Sequence, residues 1–204
     1  MLLLTEIERI KDLWSKNTDE QDTIITRLLE QTTGTFAKFC NRHFERKERV
    51  EDYDARSGGT ILPLRGYPVD KTKTFTIIND QTRNFNGSPF SDDVFHLNEN
   101  NGLIRLDKVR WTGGPGVVRV TYTGGVAETT NNIFTDEKLV ALSMAAELHV
   151  VSLLQRKDNL AMTSMSVEGG SIAMANPFTM LPEVKRILRQ FKRRNFRMAG
   201  NSGG

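Results

Sequence analysis

The sequence predicts an α+β protein: a small helical bundle interrupted by an inserted lobe of antiparallel strands. Three observations predict it. Apolar residues recur at helical spacing over residues 5–40 and again over 135–156, and the stretch between them alternates at strand spacing. Glycine- and asparagine-rich turns cut that middle stretch into short pieces. At 204 residues, 38% hydrophobic and 26% charged, the chain is long enough for one core plus an appendage, or for two small domains.

Residues 1–44 read as a helix pair. Thr5 with Glu8 has the spacing of a capping box, and Ile7, Ile10, Leu13 and Trp14 then repeat at helical intervals. Thr18 with Gln21 opens a longer pattern in which Ile24, Ile25, Leu28, Leu29, Thr32, Phe36, Phe39 and Cys40 share a face. Residues 45–126 read as the strand lobe, with strands around Arg49 to Tyr53, Thr60 to Leu64, Lys73 to Ile78, Val94 to Leu97, Leu103 to Leu106 and Val117 to Thr123. The link from Leu97 to Leu103, built on Asn100-Asn101-Gly102, is the clearest hairpin. Five or six such strands can close into a small barrel or a sandwich, which hides edges that otherwise invite aggregation.

Residues 127–158 hold the long central helix. Thr135 or Asp136 is its N-cap, and Leu139, Leu142, Ala146, His149 and Leu153 lead towards Arg156. Small Ala145-Ala146 at its middle lets several neighbours approach. Residues 159–181 form a low-charge stretch, Leu160 to Met180, whose one charge is Glu168; it is a linker, or a hairpin turning at Gly169-Gly170. Residues 182–204 read as a basic amphipathic docking helix and a flexible end.

In that last segment Pro182 suits the first helical turn, where its missing N–H breaks no bond, and Glu183 favours the positive helix start. Val184, Ile187, Leu188 and Phe191 make a narrow apolar stripe flanked by Lys185, Arg186, Arg189, Lys192, Arg193 and Arg194. So short a stripe needs a partner to be stable. Residues 181–204 carry seven Lys/Arg and one acid, net +6, against +3 for the whole chain, leaving residues 1–180 at net −3. The basic pI therefore belongs to the tail, and a globally basic nucleic-acid coat is not what the composition describes. A hydrophobic groove with acidic rims is the natural partner of such a helix. The alternative is a small nucleic-acid-binding accessory protein, in which Lys192-Arg193-Arg194, Phe191 and Phe196 neutralise phosphates and stack on bases.

The residues offer little to chemistry. One cysteine, Cys40, excludes an internal disulfide and fits a reducing compartment. Met1-Leu2-Leu3-Leu4 is too short for a signal sequence, so no secretion signal is expected. The apolar run Leu139 to Leu154 is broken by Glu147 and His149 and falls short of the roughly 20 apolar residues of a membrane span. Gly113-Gly114-Pro115-Gly116 leads into a strand and lacks the Lys-Ser/Thr of a phosphate loop. Cys40 with His43 is half a zinc site with no second pair, while His96 and His149 stand alone. Cys40 and His149 read as core residues, and Asp92-Asp93 and Glu51-Asp52-Asp54 as solvated loop carboxylates. No catalytic residue, cofactor or metal is expected, and the chain is not read as an enzyme.

The ordered pattern resembles the head-tail connector, or adaptor, family of long-tailed bacteriophages over nearly the whole chain. The resemblance rests on the helix pair closing at Phe39-Cys40-Asn41-Arg42-His43-Phe44, on Leu62-Pro63-Leu64 with Tyr67-Pro68-Val69, and on Asn101-Gly102-Leu103-Ile104 and Trp111. Val118 to Gly125, the long helix after Thr135, and Leu181-Pro182-Glu183-Val184 with Ile187-Leu188 complete it. The polar run Arg83 to Asp93 and Phe191 in a strongly basic helix depart from it. The resemblance implies a virion structural protein of the neck, assembled in the host cytoplasm as a dodecameric ring that extends the DNA channel beneath the portal. It implies as partners the portal protein, neighbouring copies, a head-closure or tail-completion protein, and genomic DNA passing without sequence specificity, but no membrane. Portal docking then falls on Pro182, Val184, Lys185, Arg186, Ile187, Leu188 and Phe191, with Arg189, Lys192, Arg193 and Arg194 meeting phosphates or acidic rims.

Overall fold

The structure, a computed structural model, describes residues 2–15, 19–157, 164–167, 170–173 and 180–193. Two compact units are present: Met1–Cys40 with Thr129–Lys192, and Asn41–Glu128 with the chain from Arg193.

The helical unit contains α1 (Ile7–Trp14), α2 (Asp22–Cys40), α3 (Glu137–Lys157) and α4 (Pro182–Arg189). Ile10, Ile25, Leu29, Val150 and Leu154 form its apolar core, and α3 is the central element, packing on α1, α2 and α4. Asp136 caps α3, its Oδ1 accepting the Lys138 N–H at 2.8 Å, while the Thr135 hydroxyl donates to the Asn132 carbonyl instead. At α1 the sequence expectation needs correction. The N-cap is Glu6 and no side chain caps the helix, because the Thr5 hydroxyl is turned inward and donates to Glu147 Oε1 at 2.6 Å. Thr18, the expected start signal of α2, lies outside the described residues. Glu147 also accepts from Ser143 at 3.2 Å and lies 3.9 Å from Arg9, so a charge that interrupts the apolar run in sequence is paired inside the unit. His149 is buried against Phe36, ring centroids 5.8 Å apart, and burial lowers its pKa.

The strand unit contains β1 (Lys47–Ala55), β2 (Ile61–Pro63), β3 (Thr76–Asn79), β4 (Phe95–Asn98), β5 (Leu103–Leu106) and β6 (Gly114–Gly124). They form two three-stranded antiparallel sheets, ordered β1-β6-β3 and β2-β5-β4. Of the expected barrel or sandwich, no closed barrel is formed by the described strands, which make two three-stranded sheets. One apolar cluster, including Trp111, Tyr122, Ile77, Ile104 and Val120, draws on both sheets. The expected hairpin joins β4 to β5 with Asn98 opposite Leu103, and Gly102 takes the positive φ of 64° that its turn requires.

In the low-charge stretch, β7 (Ser164–Val167) pairs antiparallel with β8 (Gly170–Ala173), Val167 opposite Gly170. Gly170, expected in a turn with Gly169, instead opens β8; Glu168, Gly169, Leu160 and residues 174–179 lie outside the described residues.

Candidate docking surface

α4 begins where the sequence places it, with Leu181 as N-cap and Pro182 in the first turn. Its apolar stripe is not left for an outside groove. Val184 and Leu188 are fully buried and Phe191 is 7% exposed, because α4 packs on α2 and α3 of its own chain. The last turn is tied down as well: the Leu188 carbonyl accepts the Phe191 N–H at 3.0 Å and the Cys40 thiol at 3.5 Å. The partner that so short a stripe needs is therefore internal. Lys185 and Ile187 are half-buried, whereas Pro182, Arg186, Arg189 and Lys192 are exposed. Arg186 and Arg189 also suit the negative end of the helix dipole, and the Lys192 ammonium lies 5.7 Å from the Phe39 ring centroid. The face open to a partner is thus the cationic one.

Arg193 belongs to the strand unit. Its guanidinium donates to the Pro63 carbonyl, and its Nε is buried without an acceptor. Burial lowers its pKa; the Tyr53, Tyr122 and Tyr67 hydroxyls oppose that, and the Arg65 guanidinium adds to it. All three tyrosines of the chain therefore lie within its electrostatic reach. Arg42 stacks over Tyr67 at 3.7 Å and Arg65 lies 5.7 Å from the Tyr53 ring. Arg194 and Phe196, the other members of the expected phosphate-binding set, lie outside the described residues, as does the remainder of 194–204.

The anion at the base of this cluster is Glu51, a residue the sequence places among solvated carboxylates. The structure corrects that. Glu51 sits in β1 with its side chain 13% exposed and its Oε1 2.8 Å from His43 Nε2. Its Oε2 accepts from Tyr53 and from Tyr122 at 2.9 Å. Tyr122 in turn accepts the Gly66 N–H at 2.9 Å, and burial pushes the Tyr122 hydroxyl up to about 12. Desolvation alone would raise the Glu51 pKa, but the bonds from His43, Tyr53 and Tyr122 outweigh it and hold the carboxyl at about 2. A carboxyl held below its unfolded value contributes stability that is complete above the unfolded pKa and is lost as pH falls towards the folded one. The strand unit is expected to lose about 3 kcal/mol between about pH 5 and about pH 2. Denaturant titrations across that range check it: the acid slope should flatten in Glu51→Gln, and an unchanged slope refutes the role of this group.

No family model and no curated protein sequence matches the chain. Solved structures do. A chain from the neck of a native gene transfer agent (GTA) particle, computed with C12 symmetry, aligns at a TM-score of 0.54 and 15% identity, covering 96% of each chain. One from the neck of an empty GTA particle, computed with C6 symmetry, aligns at 0.53 and 16%, covering 85% of this chain and 80% of that one. A third, from the virion of a native GTA particle, aligns at 0.53 and 16%, covering 86% and 79%. The chain has the fold found in GTA necks. At such identities the likeness is one of backbone arrangement, and the roles of individual side chains rest on the geometry above.

Within this neck fold the other residues singled out by sequence are scattered or structurally engaged. Cys40 belongs to the helical unit and His43 to the strand unit. Asp52 makes a two-oxygen bridge to Arg119 at 2.8 and 2.9 Å, Asp54 accepts the Gly116 N–H at 2.8 Å, and Asp93 pairs with Lys108. Among the described residues, no group of three or more His, Cys, Asp or Glu is placed to hold a metal, and no helix is long and apolar enough to cross a membrane. The tyrosine and arginine cluster was missed in sequence. The available signal was the parity of Glu51 and Tyr53, which puts both on one face of a strand.

Proposed function

We propose that this chain is a structural neck protein of a tailed-phage-like virion, a subunit of a ring that joins head to tail around the DNA path. The observation that carries the reading is the fold shared, over 96% of both chains, with a component of a GTA neck computed with C12 symmetry. The reading needs no catalysis and no cofactor. Its partners are the portal, copies of itself, the next neck protein and DNA passing through. Docking to the portal is assigned to the exposed side of α4: Pro182, Arg186, Arg189 and Lys192, with Lys185 and Ile187 at the edge. Val184, Leu188 and Phe191 hold that face in place from behind.

Co-sedimentation of the full chain with portal rings encoded beside it tests this, with duplex DNA as a parallel ligand. Reversing Arg186, Arg189 and Lys192 to Glu is expected to weaken portal binding by about tenfold or more, since like charges then face the acidic rims. If wild-type chain ignores the portal but binds duplex with steep salt dependence, and the same reversal abolishes that, the nucleic-acid accessory reading replaces this one.

A further inference from the structure

The helical unit has an open apolar face that α4 does not use. Leu13 at the end of α1 and Met144 and Leu148 on α3 are 52%, 52% and 43% exposed, three of the six large apolar side chains left open among the described residues. On α3, Met144, Leu148, Val151 and Gln155 follow at spacings of four, three and four, so they form one stripe along the helix. Leu13 and Leu181 flank that stripe and make it a groove of about 410 Å³, lined by Leu13, Leu148, Val151, Ser152, Gln155 and Leu181. Among the described residues, no lining side chain carries a charge. An exposed, concave, uncharged patch of this kind marks a protein contact, because water gains nothing there and DNA phosphates find no cation.

We propose that this groove seats a neighbouring copy of the same chain, an inference that rests on the neck reading. Two considerations select that occupant. The fold recurs in particles computed with C6 and C12 symmetry, which sets identical copies side by side in the proposed ring. A closed ring of identical subunits is held by heterologous contacts, one surface meeting a different one, repeated at every joint. The groove supplies the receiving surface. Among the described residues, Ile24 on α2, Val50 on β1 and Val109 are the remaining exposed large apolar side chains, and they are the candidates for what it receives. The division of labour is then physical: a cationic face on α4 for the portal and a neutral groove on α1 and α3 for the neighbour.

The test places a photo-crosslinking benzoylphenylalanine at position 148 of the full chain, sediments it with portal rings, and illuminates the pellet. Chain–chain adducts forming a ladder are expected. Leu148→Glu, at an exposed position that leaves the fold intact, is expected to cut the number of copies retained per portal at least fivefold with an unchanged melting temperature. If several copies pellet with the portal yet the probe gives only chain–portal adducts or none, the groove is not the seat of a neighbour and the inference falls while the neck reading stands. It falls in the same way if Leu148→Glu pellets like the parent. If no chain pellets with the portal at all, the neck reading fails and takes this inference with it.

Discussion

A chain ended at Met180 is expected to lose about 4.5–9 kcal/mol from its helical unit, taking Val184, Leu188 and Phe191 at about 1.5–3 kcal/mol each for side chains removed from water. That is comparable to the whole stability of an ordinary domain, so the truncated protein should unfold or open α2 and α3 to solvent. The cause is not the cations of the tail but the stripe behind them, which is buried. Leu188→Ala in the full chain should cost about 2–5 kcal/mol by the same route, through lost burial and the cavity left behind. Arg186→Glu and Arg189→Glu, both exposed, should change stability by less than about 0.5 kcal/mol each. Urea unfolding followed by helical circular dichroism separates these outcomes. If the truncated chain melts like the parent, α4 is not part of the unit's core. The result also decides how portal docking has to be tested: removing the tail would abolish binding by unfolding, so the charge reversals on the open face are the informative variants.

Gly125→Ala is expected to destabilise the strand unit by at least about 4 kcal/mol, in the range reserved for severe steric or backbone faults. Gly125 has a φ of 142°, which L residues rarely adopt. An added Cβ would lie 2.3 Å from the Glu45 carbonyl oxygen and 2.5 Å from the Arg46 nitrogen, both backbone atoms that cannot rotate away. Two segments cross tightly here. The Gly125 N–H donates to the Pro68 carbonyl at 3.0 Å, the Val126 N–H to Phe44 at 2.8 Å, and the Arg46 N–H to Ala127 at 2.8 Å. A Cβ forces those bonds apart and leaves buried backbone groups unpaired, which adds to the strain. Gly34→Ala is the matched control. Nothing lies within 4 Å of a Cβ at that position in α2, so alanine should stabilise the helix by about 0.5–1 kcal/mol. Should Gly125→Ala unfold within about 1 kcal/mol of the parent, the crossing described here is wrong.

The order of the elements, the β4–β5 hairpin at Asn101-Gly102, a capped helix start at Thr135 or Asp136 and the concentration of positive charge after Leu181 were all legible in the sequence. Each depends on residues within about one helical turn or one β-turn of one another, where periodicity and turn chemistry act directly. What α4 packs against was not legible, because an apolar stripe specifies a need for burial and not the address of the surface that meets it. The same holds for Thr5, whose sequence neighbours suggest a cap while its hydroxyl bonds Glu147, 142 residues away. It holds again for Glu51, which looks solvated among Asp52 and Asp54 until strand parity turns it towards Tyr53 and β6 brings Tyr122 across from 71 residues away. Local pattern determined which segments fold as helices and strands and where the charge lies. Tertiary structure decided which polar groups are buried with partners and which face of α4 remains open, because those outcomes depend on distant segments competing for the same surface.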